Sequence, residues 1–272
     1  MAPVMRERPP VTLHRLHQMR AAREPITMLT CYDATFARLL DGAGVDVLLV
    51  GDSLGMLIQG NDSTLPVSMA EMVYHTRCVA KGSGSAWVIA DMPFGSYEQS
   101  AALTVRNATR LMQAGAHMIK IEGGGWTVPL VEHLSARGIP VCGHLGFTPQ
   151  SVHALGGYRI QGRDDAAAET LRRQTVELAD AGAQMLILEL VPSAVARSVT
   201  AAASIPVIGI GAGSGCDGQV LVLHDMLNVT HGKLPRFVRN FMEGSASVQD
   251  AIRLFVSDVK SGAFPRDAEH GY

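Results

Sequence analysis

Five polar residues stand where short apolar runs stop: Asp52 after VLLVG, Asp91 after WVIA, Glu122 after MIKI, His144 after PVCG and Glu189 after MLIL. Acids are costly to bury unless they are paired or bound to a metal. Several converging on one rim therefore suggest a cation site. Asp52, Asp91 and Glu122 offer only oxygen ligands, which favours a hard ion such as Mg2+. For any one acid the plainer alternative is a helix cap or an ordinary ion pair. It is the shared position of the set that points to chemistry. Lys120 lies two residues before Glu122, and residues two apart on a strand share a face. An inward lysine there could pair with Glu122, bind a substrate carboxylate, or form a Schiff base with a ketone; spacing does not separate the three. His144 taken alone reads as well as a hydrogen-bonded structural residue as it does a catalyst. Ser53 follows Asp52 in GDSLG, where its hydroxyl and N–H could hold a carboxylate.

These residues need elements to bring them together. Strands are predicted near Ile26–Cys31, Val45–Gly51, Trp87–Asp91, His117–Glu122, Pro140–His144, Met185–Leu190, Pro206–Ile210 and Val220–His224, alternating with longer helical stretches. Eight such units close most naturally into a (β/α)8 TIM barrel, a single domain over residues 1–272. The last two strands are the least distinct, because little sequence separates them. The phrases AGVDVLLVGD, AGAHMIKIEG and AGAQMLILEL form a weak internal repeat. A helix stops at Gly44, Gly115 or Gly182, a strand follows, and an acid closes it. The acid then lies at the carboxyl end of the strand, where barrels of this class build their active sites.

Val11, Leu13, Leu16 and Met19 give a helix over about 11–23 that closes one end of the barrel. Val248–Val259 reads as a further amphipathic helix, and the polar tail over about 263–272 as loosely ordered. Phe147–Arg163 is long for a connection at the functional rim and reads as a lid or binding loop, with Gly156-Gly157 as a hinge. The glycine-rich GIGAGSG, Gly209–Gly215, could cradle a phosphate. It lacks the GxGxxG context, and a tight turn that lets the substrate or a neighbouring backbone come close is the better reading.

The chain has 272 residues, 47% hydrophobic and 5% aromatic, with 28 glycines and a formal net charge of -2. That composition suits parallel strands covered on both faces. The charge balance excludes nucleic acid or an anionic membrane as the main partner. No apolar stretch is long enough to span a bilayer, and the Arg-rich start lacks the apolar core of a secretory signal. Four cysteines without CxxC spacing read as reduced thiols in a cytoplasmic protein.

TCYDATFARLL, LLVGDSLGM, TLPVSMAEMVYHTRCVAKG, ADMPFGSY, IKIEGG, CGHLGFTPQ, LGGYRIQG and VIGIGAGSGCDGQVLVLHDML occur in this order, followed by PRFVRNFM. Together they resemble the ketopantoate hydroxymethyltransferase family, from about Thr12 to Val259. The resemblance implies a barrel of the phosphoenolpyruvate/pyruvate-binding superfamily. It implies hydroxymethyl transfer from 5,10-methylenetetrahydrofolate to 3-methyl-2-oxobutanoate, giving 2-dehydropantoate for pantothenate synthesis. It also implies Mg2+ and a homo-oligomer, typically a decamer. The family's metal-binding acids fall on Asp52, Asp91 and Glu122, and its general base on Glu189. Its substrate contacts fall on Asp52, Ser53, Asp91 and Lys120, with His144 an active-site histidine of open role. Phe147 stands where many members carry Leu. The rival readings are a Mg2+-dependent carbon–carbon lyase of the same superfamily, a Schiff-base aldolase using Lys120, and a non-catalytic keto-acid-binding barrel. The lyases usually carry a KKCGH loop motif, which is absent here.

Overall fold

The structure, a computed structural model, describes residues 8–272; the first seven residues of the N-terminal segment lie outside that range. Eight strands form one closed parallel barrel. They are β1 Ile26–Thr30, β2 Val47–Val50, β3 Trp87–Asp91, β4 Met118–Glu122, β5 Val141–Gly146, β6 Met185–Glu189, β7 Val207–Ile210 and β8 Gly218–Leu221. β1 pairs with β8 through Ile26↔Gly218 to Leu29↔Leu221, which closes the ring. Almost every strand residue is buried, because one face meets the barrel interior and the other meets helices. The helices that pack outside include Ala34–Gly42, Met69–Gly82, Ala101–Ala114, Val128–Ser135, Asp165–Asp180 and Ser193–Ala202. Gly44, Gly115 and Gly182 all take positive φ, as the repeated helix stop requires.

The predicted N-terminal cap forms at Leu13–Ala21, with Leu16 and Met19 buried beneath the barrel. Its His17 reaches Gln184, and its Arg20 faces Asp217; these residues directly precede β6 and β8. The helix therefore closes the end opposite the predicted functional rim.

Two sequence expectations are corrected. β8 lies at Gly218–Leu221 rather than Val220–His224, and His224 belongs to the short helix Leu223–Met226. No helix separates β7 from β8. Instead the glycine-rich segment turns and runs back along the outside of β7. Asp217 donates its N–H to Val207 O and accepts from Val207 N at 2.9 Å. A Cβ at Gly209 would lie 2.9 Å from Cys216 Sγ, so glycine lets the return pack close without a shift. The return is short, and β8 begins at once.

The tail is the second correction. Phe264 is buried against Phe241, Phe255 and His270, and Asp267–His270 is helical. The Asp267 carboxylate accepts from Ser214 N at 2.7 Å, and Ser193 N donates to Tyr272 O. The polar look of AFPRDAEHGY hides one apolar anchor and a carboxylate matched to a glycine-rich turn. GIGAGSG thus admits a neighbouring segment of the same chain, as expected of a tight turn. Cys31 and Cys142 are buried, Cys78 and Cys216 half-buried, and all four are free thiols.

Phe264→Ala should lower the unfolding free energy by about 3–5 kcal/mol, the usual cost of deleting a buried phenyl group. Urea denaturation at unchanged m-value measures it. A loss below about 0.5 kcal/mol, typical of a surface site, would mean that the tail is not anchored.

Candidate active site

The parallel registers bring the singled-out residues to one mouth. Asp91 lies beside Lys120, and Glu122 lies beside His144, which neighbours Ile187 of β6. Lys120 and Glu122 point inward together, while Ile119 and Ile121 pack outward beneath the helices, as the two-residue period demands. Asp52 lies two residues past the end of β2. Its N–H donates to Asp91 Oδ2 at 3.0 Å, which ties the turn after β2 to the end of β3. A Cβ at Gly51 would lie 2.7 Å from Ser53 Oγ, so glycine is needed for Ser53 to fold back into the mouth. Ser53 Oγ shares a 2.9 Å hydrogen bond with the buried Tyr32 hydroxyl.

Lys120 Nζ is the hub. It lies 3.2 Å from Asp91 Oδ1, 3.2 Å from Glu122 Oε1 and 3.2 Å from His144 Nδ1. His144 Nδ1 is 3.1 Å from Glu122 Oε1, and its Nε2 is 3.3 Å from Glu189 Oε2. Asp52, Asp91, Lys120, Glu122 and His144 are all at most 3% exposed; Glu189 is more open. His144 therefore links the buried cluster to Glu189, the most open acid of the set.

The electrostatics follow from burial and proximity. Burial pushes the Asp52 carboxyl well above the usual range, and the charges of Asp91 and Glu122 push it further. Burial also raises Asp91, against the pull of Lys120. Burial opposes the charge on Lys120, but Asp91, Glu122 and Asp52 override it and hold the ammonium charged. Glu122 is drawn down to about 2, since Lys120 and His144 outweigh its burial. Burial and Lys120 oppose a charge on His144, yet Glu122 and the Glu189 contact raise it to about 9.

The sequence reading missed Gln150 and Tyr97, though both lie in its quoted motifs. Gln150 stands in a short 3-10 turn, Pro149–Ser151, at the start of the long loop. Its N–H donates to Glu122 Oε2 at 3.0 Å, and its side-chain amide donates to Asp52 Oδ2 and to Met92 O, each at 2.9 Å. Its amide oxygen accepts from the Tyr97 hydroxyl at 2.6 Å. Every hydrogen-bonding group of the amide is used, and no apolar residue of that shape could replace it. Nothing in an isolated Pro-Gln pair signals this, because the partners come from β2, β3 and β4.

The cluster forms the floor of a cavity of about 960 Å3 that opens at the carboxyl ends of the strands. The long loop Phe147–Arg163 overhangs it, with Gly156 and Gly157 at positive φ. The segment around Thr230 and Lys233, given no role from sequence, also lines it. Leu190, next to Glu189, has φ 49°, a costly conformation for leucine held by its N–H bond to Ile210 O.

Among the described residues, no three His, Cys, Asp or Glu side chains have the geometry to hold an ion alone. Asp52, Asp91 and Glu122 do share the floor, but Glu122 is engaged by Lys120, His144 and Gln150. The expected three-acid set is therefore closer to a pair with a third acid behind it. The pair suits a hydrated dication. Mg2+ commonly uses one or two carboxylates and fills its remaining positions with water and substrate oxygens. Asp91 Oδ1 makes a charge contact with Lys120 but no aligned hydrogen bond, and the floor carries more acidic than basic groups.

The fold is shared with known enzymes. A solved 2,3-dimethylmalate lyase, described as a member of the PEP mutase/isocitrate lyase superfamily, superposes with a TM-score of 0.57. The match covers 77% of this chain and 80% of that one, at 18% identity. The likeness defines the fold class: a closed (β/α)8 barrel. The sequence model of the ketopantoate hydroxymethyltransferase family matches residues 10–267. A 3-methyl-2-oxobutanoate hydroxymethyltransferase of Methylibium petroleiphilum is 60% identical over 266 residues, 97% of this chain and 95% of that protein. One from Leptothrix cholodnii is 59% identical over 277 residues, 99% of this chain and 96% of that protein. The chain belongs to the ketopantoate hydroxymethyltransferase family, as its motifs indicated.

Gln150→Leu should cost about 3 kcal/mol, because it leaves the Met92 carbonyl and an Asp52 oxygen without a buried partner and removes the Tyr97 hydroxyl's shortest acceptor. The readout is the urea midpoint. An unchanged midpoint would show that the amide is not what ties the acids together.

Proposed function

We propose that this chain transfers a hydroxymethyl group from 5,10-methylenetetrahydrofolate to 3-methyl-2-oxobutanoate, giving 2-dehydropantoate. The observation that carries the reading is the buried Lys120–Glu122–His144 cluster flanked by Asp52, Asp91 and Glu189, in a chain 60% identical to a relative named for that activity. The lyase alternative rests on an 18%-identical likeness, which concerns the fold alone. A non-catalytic barrel would have no use for so costly a set of buried charges.

Asp52 and Asp91 would hold Mg2+, with Glu122 behind them. Bound there, the dication supplies Lewis-acid stabilisation of the enolate that forms from an α-keto acid. Lys120 and the Ser53 hydroxyl receive the substrate carboxylate and turn C3 toward Glu189. Glu189 takes the C3 proton. His144, whose Nε2 lies 3.3 Å from Glu189 Oε2, positions that carboxylate by its charge. C3 then bonds to the methylene carbon of the folate, whose nitrogens leave with protons while water supplies the hydroxyl oxygen. The overhanging loop keeps bulk water from the one-carbon unit. Lys120 acts by charge here; its tight carboxylate contacts favour the ammonium over the free amine that a Schiff base requires. The protein is read as cytoplasmic and homo-oligomeric; among its described residues no helix is long and apolar enough to cross a membrane.

With both substrates and Mg2+, the wild type should form 2-dehydropantoate. Glu189→Gln should lower kcat by about 10²–10⁴-fold, the usual contribution of a general base, while keto-acid binding persists. Near-normal kcat in that variant would remove Glu189 from the base role.

A further inference from the structure

A five-carbon keto acid fills only a small part of a 960 Å3 cavity, a volume at the upper end for drug-sized ligands. The remaining space has a different chemistry from the floor. Its walls come from the long loop after β5 and from the segment after the Leu223–Met226 helix. Tyr158 stands on one wall: its ring lies 4.7 Å from that of buried Phe147, and its hydroxyl reaches Met56 Sδ at 3.6 Å. Phe237 supplies an apolar face on the other wall. Three exposed cations, Arg159, Arg163 and Lys233, stand at this outer end. None of the three is paired with a carboxylate among the described residues. The nearby acid Asp225 is held by Thr230 Oγ1 at 2.6 Å. The cavity thus runs from an acidic floor through an aromatic waist to a cationic mouth.

We infer that this outer half is the binding site of the folate co-substrate, with Arg159, Arg163 and Lys233 receiving the carboxylates of its glutamate end. The inference rests on the proposed function. A reduced folate is a flat ring system joined to an aminobenzoyl group and a glutamate with two carboxylates. Its ring end matches the waist, and its dianionic end matches the mouth. That orientation delivers the one-carbon unit toward Glu189. The glutamate end carries no reacting atom, so its contacts raise affinity without touching the chemistry.

The test compares Arg159→Gln, Arg163→Gln, Lys233→Gln and the triple variant with wild type in two assays. The first is turnover with methylenetetrahydrofolate and with methylenetetrahydropteroate, which lacks the glutamate. The second is Mg2+-dependent exchange of the C3 proton of 3-methyl-2-oxobutanoate, which needs no folate and also reports an intact fold. Exposed charge pairs are modest. Each single change should therefore raise the folate KM about threefold and the triple about 30-fold, with C3 exchange and the pteroate KM unchanged. Added salt should raise the wild-type folate KM in the same way. A triple variant with the wild-type folate KM would overturn the inference and leave the proposed function standing. So would equal losses for folate and pteroate. Wild-type protein that exchanges C3 but cannot use the folate at all would instead overturn the donor assigned in the proposed function.

Discussion

Three carboxylates can share the dry floor of this barrel because the Lys120 ammonium sits among them. An isolated buried carboxylate takes up a proton or is not tolerated. Here Lys120 lies 3.2 Å from Asp91 and 3.2 Å from Glu122, and it holds Glu122 ionised down to about 2. The arrangement has a direction. Glu122 is fully compensated by Lys120, His144 and Gln150, whereas burial and like charge push Asp52 and Asp91 up. The uncompensated part of the charge thus collects on the two acids nearest β2 and β3. A dication would relieve the floor there, on the side that faces the cavity.

The closed parallel barrel makes this geometry possible. Neighbouring strands fix Asp91 beside Lys120 and Glu122 beside His144 without any loop deciding the matter. Loops then add what strands cannot. Gln150 crosses from the loop after β5 to Asp52 on the far side of the cluster, and Tyr97 backs it. The tail fills the groove of the glycine-rich turn that would otherwise be left open. Strands hold the charges, and the loops beyond them line the space above, which is the usual division in barrels of this class.

Much of this was legible in the sequence, for physical reasons. A strand in a two-faced environment is a short apolar run, and the polar residue that ends it stands out; Asp52, Asp91, Glu122 and Glu189 were visible on that ground. The period of two places Lys120 and Glu122 on one face of their strand. What stayed hidden depends on contacts between distant segments. Gln150 looks like an ordinary turn residue until its three partners are assembled. β8 was displaced because its start is set by the Asp217–Val207 pairing, not by an apolar run. The tail looked solvated because its one anchor, Phe264, is outnumbered by polar neighbours. Spacing also says nothing of which acid Lys120 and His144 will claim.

The central claim is that this floor, with a dication, draws the C3 proton from an α-keto acid. The most direct test is to hold the wild-type protein with 3-methyl-2-oxobutanoate in deuterium oxide, without folate, and to follow the C3 proton by NMR with Mg2+ or with EDTA. Exchange that requires both protein and Mg2+ is the predicted result. Exchange of equal rate in EDTA, or none from folded protein with Mg2+, would contradict the account.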